Sequence, residues 1–232
     1  MTDSPPVACR HTDAGTPESA WLGSNRWDRV PPLDVDALAR RHERVLVVSA
    51  HPDDETLGVG ALVATLHRNG VAIHLVVATD GERSHALPSA ELRGELGRRR
   101  RRQVEVAARA LAPGIEITFL GVPDGEVEQH EASLSTLVAQ LAVDSTLAIA
   151  PWVHDGHPDH DATGRACADA AARTGADVAY YPIWLWHWGT PDTFPWADAV
   201  AVEHTVAAAN RSGGERQGGG SQGEHCCVGD EE

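Results

Sequence analysis

The sequence predicts an α/β fold built on a mostly parallel sheet. Three observations predict it: short β-branched and aliphatic runs recur along the chain, stretches with apolar residues at helical spacing separate them, and Gly, Pro or Asn-Gly signals stand at the junctions. Alternation of this kind marks βαβ units, whose strands lie parallel and whose crossovers are right-handed. A chain of 232 residues buries one sizeable core, so its length favours one domain with additional segments at its ends.

Residues 1–32 are rich in Pro, Ser, Thr and Asp without a sustained period, and are expected to form an irregular arm. Trp21, Leu22 and Trp27 are the side chains available to pack it onto the domain. Pro31-Pro32 then lead into a short helix through Arg41, capped by Asp34 or Asp36. The run 44–50, Arg-Val-Leu-Val-Val-Ser-Ala, has the composition of a strand buried on both faces. Over 55–69, Leu57, Ala61, Leu62 and Leu66 recur at helical spacing and Asn69-Gly70 ends the helix. A second strand covers 71–79. After a polar loop come a helix over 89–111, stopped by Pro113-Gly114, and a third strand over 115–120. A turn at 121–125, a helix over 132–142 and a fourth strand over 147–150 follow, and a helix over 161–174 and a strand over 178–181 complete a Rossmann-like three-layer domain spanning 33–206. From 207 to 232 the periodicity stops: seven glycines stand between Asn210 and Glu232 beside a Cys226-Cys227 pair, and this tail is expected to be disordered.

The formal net charge of −15 argues against electrostatic docking on nucleic acid or an anionic membrane, and favours a small soluble substrate. No run approaches the roughly 18 apolar residues of a membrane span, and residues 1–10 lack the basic and apolar regions of a secretory signal, so the cytoplasm is the expected compartment. Cys9, Cys167, Cys226 and Cys227 have no C-x-x-C spacing and define no disulfide framework. No heptad or other interface signature is present, which leaves the oligomeric state open.

In an open parallel sheet, sites form outside the carboxyl ends of the strands. His51, Asp53 and Asp54 directly follow the first strand, and His154, His157 and His160 lie after the fourth, so two segments about 100 residues apart face one crevice. Two imidazoles and one carboxylate leave a zinc ion with an open position for water, whose pKa falls to about 7. Either Asp53 or Asp54 then takes the proton while the other is a ligand. The same donors accept ferrous iron or cobalt. The plainer alternatives are helix capping by His51 and the aspartates, where a carboxylate gains about 0.3–1 kcal/mol, and an exposed polar turn at 157–160. Capping needs one such residue, whereas four of the five positions 51–55 are polar.

These residues resemble the PIG-L/LmbE-like family, named for N-acetylglucosaminyl-phosphatidylinositol de-N-acetylase and the LmbE proteins, which includes deacetylases of mycothiol and bacillithiol biosynthesis. The resemblance covers roughly residues 43–190. It rests on Ala50-His51-Pro52-Asp53-Asp54-Glu55 and His157-Pro158-Asp159-His160, with weaker matches at Thr79-Asp80-Gly81-Glu82, Arg102-x-x-Glu105 and Leu120-Gly121-x-Pro123-Asp124-Gly125. It implies that His51, Asp54 and His160 are zinc ligands and Asp53 the general base. His157 would hold the oxyanion and protonate the leaving amine, Asp159 would orient His157, and Arg102 and Asp124 would contact sugar hydroxyls. The implied activity is zinc-dependent hydrolysis of an N-acetyl amide on a small amino-sugar-containing molecule, releasing acetate and a free amine. An amidase acting on a non-sugar or thiol-conjugate amide and a non-catalytic copy of the fold are the alternatives. The latter draws on one departure: past Tyr181-Pro182-Ile183-Trp184, members continue in ordered structure, whereas this chain enters Gly-rich sequence that reads like a frameshifted or truncated end.

Residues 98–102 are five arginines which, at helical spacing, surround the axis; a solvated helix end is the expected reading and recognition of an anionic group the alternative. Trp184, Trp186, Trp188 and Trp196 with His187 are expected to pack in the core, with stacking on a sugar or aglycone as the alternative. Cys167 lies in a predicted helix with no paired base and is no nucleophile candidate.

Overall fold

Val45, Leu46, Val47 and Val48 are each at most 1% exposed, so the first β-branched run is covered on both faces, as a central strand of a parallel sheet requires. This strand is β1 (Arg44–Ser49) of a computed structural model that describes residues 14–142, 145–202 and 227–229. After it come α3 (Asp54–Arg68), β2 (Ala72–Thr79), α4 (Ala90–Leu111), β3 (Glu116–Val122), α5 (Val127–Leu141), β4 (Thr146–Pro151), α6 (Pro158–Thr174) and β5 (Asp177–Tyr181). These strands pair in parallel in the order β3-β2-β1-β4-β5. Two short strands, β6 (Ala199–Ala201) and β7 (Cys227–Gly229), extend the β5 edge antiparallel, as β5-β7-β6. The predicted fold class therefore holds. The expectation of a disordered tail lies largely outside the described residues, and where it falls within them, at 227–229, the chain is a strand.

Successive residues of β1 face opposite layers. Val45 and Val47 pack with Val59, Leu62 and Leu66 of α3 and with Val104 and Ala108 of α4. Leu46 and Val48 pack with Leu134 and Val138 of α5 and with Ala162, Ala166 and Ala170 of α6. Each such aliphatic side chain larger than alanine contributes about 1.5–3 kcal/mol on full burial. The inward face of α6 is made of small residues, which lets the helix lie close on β4. A Cβ at Gly164 would stand 2.5 Å from the Pro151 carbonyl oxygen, so that position admits only glycine.

Two helices start earlier than the periodicity predicts. α5 begins at Val127 rather than 132, because Val127 is buried and its amide donates to the Asp159 carboxylate at 3.1 Å. α6 begins at Pro158 rather than 161; proline suits a first helical turn, whose N–H groups have no partner within the helix. Asp34, one of the two expected caps, accepts the Ala37 amide at 2.8 Å at the start of α2 (Val35–Arg41). The amino-terminal arm is less irregular than expected: it contains α1 (Glu18–Leu22) and a 3-10 turn at Trp27–Arg29. Trp21 is buried against Phe194 and Ala199, and Trp27 stacks on Trp186, whereas Leu22 is exposed. The arm's partner is the stretch after β5, which contains α7 (Leu185–Trp188). The two are tied by backbone bonds from Leu33 to Ala201 and from Ala201 to Pro31. Among the described residues no helix is long and apolar enough to cross a membrane.

The path along the sheet fixes where a site can form. From β1 the chain moves outward to β2 and β3, then returns to the other side of β1 as β4. The crevice outside the carboxyl ends of β1 and β4 is thus the point where strand order reverses.

Candidate active site

Both motifs enter that crevice. Beyond β1 the chain turns sharply, with Asp53 at φ +97°, a conformation that costs a non-glycine residue about 1–3 kcal/mol. The surroundings hold it there. The Asp53 amide donates to Glu55 Oε2 at 3.2 Å, and Arg100 Nη2 donates to Asp53 Oδ2 at 3.0 Å and to the Pro52 carbonyl at 2.7 Å. Asp54 then opens α3, and its Oδ2 accepts the His51 amide at 2.8 Å. On the β4 side His157 is the N-cap of α6, which sets Asp159 and His160 in its first turn.

Three side-chain atoms converge between the two segments. His51 Nδ1 lies 3.1 Å from His160 Nε2 and 3.6 Å from Asp54 Oδ2, and His160 Nε2 lies 3.3 Å from Asp54 Oδ2. The far nitrogen of each imidazole faces carboxylates. His160 Nδ1 is 2.7 Å from Asp155 Oδ2, and His51 Nε2 is 3.1 Å from Asp159 Oδ2 and 3.3 Å from Asp124 Oδ1. A proton on each far nitrogen is held by its carboxylate, which turns two lone pairs and one carboxylate oxygen toward a common point. Bonds of about 2.0–2.1 Å in tetrahedral geometry place ligand atoms about 3.3 Å apart, which is the size of this triangle. The residues present therefore fit a zinc ion. Two other groupings bring ligand atoms within 4.8 Å of one another, His51 with His157 and His160, and His51 with Asp124 and Asp159. In the second, His51 would use the nitrogen already bonded to those carboxylates, and the triangle through Asp54 has no such conflict.

The carboxylates around the triangle favour positive charge within it. Burial works against charge on His51, but the carboxylates of Asp124, Asp159 and Asp54 outweigh it and hold its pKa well above the ordinary value. His160 is likewise raised, burial being outweighed by Asp54 and Asp155. Burial would raise Asp54, yet His160 and His51 hold it far below the usual carboxylate range. The same negative field is what a divalent cation would meet. At the mouth, burial raises the Asp53 carboxyl, with Arg100 opposing. Burial, followed by the charges of His51 and His160, pulls His157 down to about 4. Glu55 is pushed up to about 7 by burial.

His51, Asp53, Asp54, Asp124, His157, Asp159 and His160 are thus brought together, and two expectations change. The Asp159 carboxylate bonds His51 and the Gly125 and Val127 amides rather than the His157 ring, whose Nδ1 accepts the Asp159 backbone amide at 3.2 Å. Asp159 orients His51, because the helix start points its side chain across to the β3–α5 loop. Arg102 is exposed on the outer side of α4, beside Arg99 and Gln103. The arginine that faces the crevice is Arg100, three residues after buried Gly97 and so near its helical face. Five consecutive arginines give no local sign of which one points inward; the buried glycine was the available clue. Asp155 was also missed. It is buried, and besides His160 it accepts the amides of Ile183, Trp184 and Leu185 at 2.8, 2.9 and 3.0 Å. The weaker motifs are braces: the Thr79 hydroxyl donates to the Ala50 carbonyl, and Glu82 accepts the Asp124 amide. The tryptophans divide. Trp186 and Trp196 pack with Trp21, Trp27 and Phe194, while Trp184 stacks on His157 with ring centroids 6.1 Å apart and an interplanar angle of 21°.

Comparison with known proteins places these residues in a wider set. The family profile described as PIG-L, GlcNAc-PI de-N-acetylase, matches residues 46–171. The chain is 32% identical over 175 residues to 1D-myo-inositol 2-acetamido-2-deoxy-alpha-D-glucopyranoside deacetylase 2 of Saccharopolyspora erythraea, covering 64% of this chain and 63% of that protein. It is 29% identical over 137 residues to the probable N-acetyl-alpha-D-glucosaminyl L-malate deacetylase 2 of Bacillus subtilis, covering 56% and 62%. In fold it is similar to the N,N'-diacetylchitobiose deacetylase of Pyrococcus horikoshii, with a TM-score of 0.54 and 24% identity over 73% of this chain and 70% of that one. The chain spans between 54% and 64% of the length of the first three curated relatives.

Proposed function

The chain belongs to the PIG-L family of GlcNAc-PI de-N-acetylase, and from that premise we propose that it hydrolyses the N-acetyl amide of a small amino-sugar-containing molecule, with zinc held by His51, Asp54 and His160. The observation that carries the reading is the triangle of two imidazole nitrogens and one carboxylate oxygen with edges of 3.1, 3.3 and 3.6 Å, flanked by Asp53 and His157. Support for an amino sugar comes from the relatives' names, which describe deacetylation of acetamido-sugar compounds. Asp124 and Arg100, a carboxylate and a guanidinium beside the triangle, suit hydroxyl groups.

Bound zinc supplies a Lewis acid for the amide carbonyl and lowers the pKa of water to about 7. Asp53, at the mouth of the crevice and held by Arg100, takes the proton as the water oxygen bonds to the carbonyl carbon. Asp53 returns its proton to solvent, and His157, uncharged at rest at neutral pH, takes one up as negative charge grows on the amide oxygen beside it. The C–N bond breaks as that proton passes to the amine nitrogen, and acetate and a free amine leave. Asp155 and Asp159 keep the ring nitrogens of His160 and His51 in the tautomers this requires.

The test is zinc content and acetate release from N-acetylglucosamine derivatives for the wild type, His160→Ala and Asp53→Ala. The expected result is about one zinc per chain in the wild type, lost in His160→Ala. Asp53→Ala keeps its zinc and slows about 10²–10⁴-fold. Equal metal loss in both variants would overturn the division of roles, and a folded wild type that binds no metal would sink the proposal. Release from other amides only would make the protein an amidase of different substrate class.

A further inference from the structure

We propose that Trp184 is a positioning residue for His157, holding the imidazole plane in the orientation turnover needs; the inference rests on the role given to His157 above. The His157 ring has few other anchors. Its Nδ1 accepts one backbone amide at 3.2 Å, and it meets the His51 ring edge to face at 84° and the His160 ring tilted at 45°. Among the ring contacts of the described residues, Trp184 is the one that lies nearly parallel to it, at 21°. Trp184 stacks in turn with Trp188, at 4.8 Å between centroids and 17° between planes.

The indole is itself fixed from two sides. On one, the Trp184 amide donates to Asp155 Oδ2 at 2.9 Å, the same oxygen that meets His160 Nδ1 at 2.7 Å. One buried carboxylate thus sets both the ring of a proposed metal ligand and the backbone that carries the stack. On the other side the amino-terminal arm grips the residues next to Trp184. The Thr16 amide donates to the His187 carbonyl at 2.8 Å, the Thr16 hydroxyl to the Gly189 carbonyl, and Trp21 Nε1 to the Trp186 carbonyl at 2.9 Å. Such a surface holds a ring in one plane, and a catalytic group misplaced by about 1 Å loses on the order of 10²-fold in rate.

The experiment uses the full-length zinc-loaded protein and its Trp184→Ala, Trp184→Phe and Trp188→Ala variants. It reads kcat and KM for acetate release, zinc content, and the His157 ring-proton shifts by NMR of histidine-labelled protein, assigned by their loss in His157→Gln. Trp184→Ala is expected to lower kcat about 10–100-fold while KM shifts less than about twofold and zinc is retained. The His157 protons should also lose the ring-current shift imposed by the indole. Trp184→Phe should restore most of kcat, and Trp188→Ala should cost less than Trp184→Ala. If Trp184→Ala does not fold, the order wild type, Trp184→Phe, Trp188→Ala in kcat and ring shift decides instead, and a Trp188→Ala protein as fast as wild type with unmoved His157 shifts overturns the stack. A rise in KM at constant kcat would make Trp184 a substrate contact and overturn the proposal, as would Phe performing no better than Ala. A wild type that releases no acetate defeats the functional reading, and the ring shifts alone then decide on Trp184.

Discussion

The triangle of His51, Asp54 and His160 and the aromatic wall beside it are built in opposite ways. The triangle comes from two short motifs at the ends of adjacent parallel strands, and its ligand side chains are nearly enclosed, with His160 at 0% and Asp54 at 4% exposure. The wall comes from residues 14–33 and 183–201, which lie far apart in sequence and meet through aromatic edges, one indole N–H and a few backbone bonds. The triangle's geometry depends on strand register and helix starts, whereas wall geometry depends on two segments distant in sequence finding one another. A protein so divided can keep the triangle intact while losing the setting of the side chains beside it.

That division makes Trp21→Ala the strongest test. Trp21 is 6% exposed and packs edge-on against Trp186 at 4.9 Å. Its loss should cost about 3–5 kcal/mol in thermal or chemical unfolding yet leave zinc stoichiometry unchanged. Loss of zinc from the folded variant would show that the two regions are one unit. Asp155→Asn comes next, since Asp155 is the residue they share. Zinc affinity should fall about 10–100-fold, as when a carboxylate behind a liganding histidine is removed, and tryptophan fluorescence should change with it. A fall in affinity with an unaltered spectrum would confine Asp155 to the triangle.

The smallest effect belongs to His74, which sits on β2 outside both regions. Burial lowers its pKa, Glu116 at 3.4 Å opposes, and Arg44 adds to the lowering. A histidine whose folded pKa lies below its unfolded value favours the native state fully above about pH 6.5. That contribution is lost as pH falls from there toward the folded pKa, because the unfolded chain binds the proton first. The melting temperature of His74→Gln should therefore drop less than that of the wild type between pH 7.5 and 5.5, with equal zinc content in both. An identical drop would remove His74 from the account.

Reading the fold from sequence worked where the signal is local. The run from Val45 to Val48 declares a strand covered on both faces, and His51 and His160 follow strand ends where crevices form, so the parallel sheet and the meeting of these two segments were both legible. What depends on a partner elsewhere was not. Val127 begins α5 because Asp159, distant in sequence, accepts its amide. Asp155 sits among turn residues whose composition suggests only a loop, and its four partners come from α6 and the stretch after β5. Arg100 differs from Arg102 only in helix phase, and the run of arginines hides that phase. The five-residue α1 is too short to show a period at all.

The bond from Thr16 to Gly189 joins positions 173 residues apart. During synthesis this sets an order of events. All three atoms of the metal triangle exist once His160 has emerged, and the strands and helices that frame them are complete soon after, at Tyr181. The wall must wait for residues up to 201, long after the arm it packs against has been made. Closing so long a loop adds little equilibrium cost, since loop entropy grows only with the logarithm of length, but contacts of such separation form late. The triangle's three atoms can therefore come together before the wall beside them is finished.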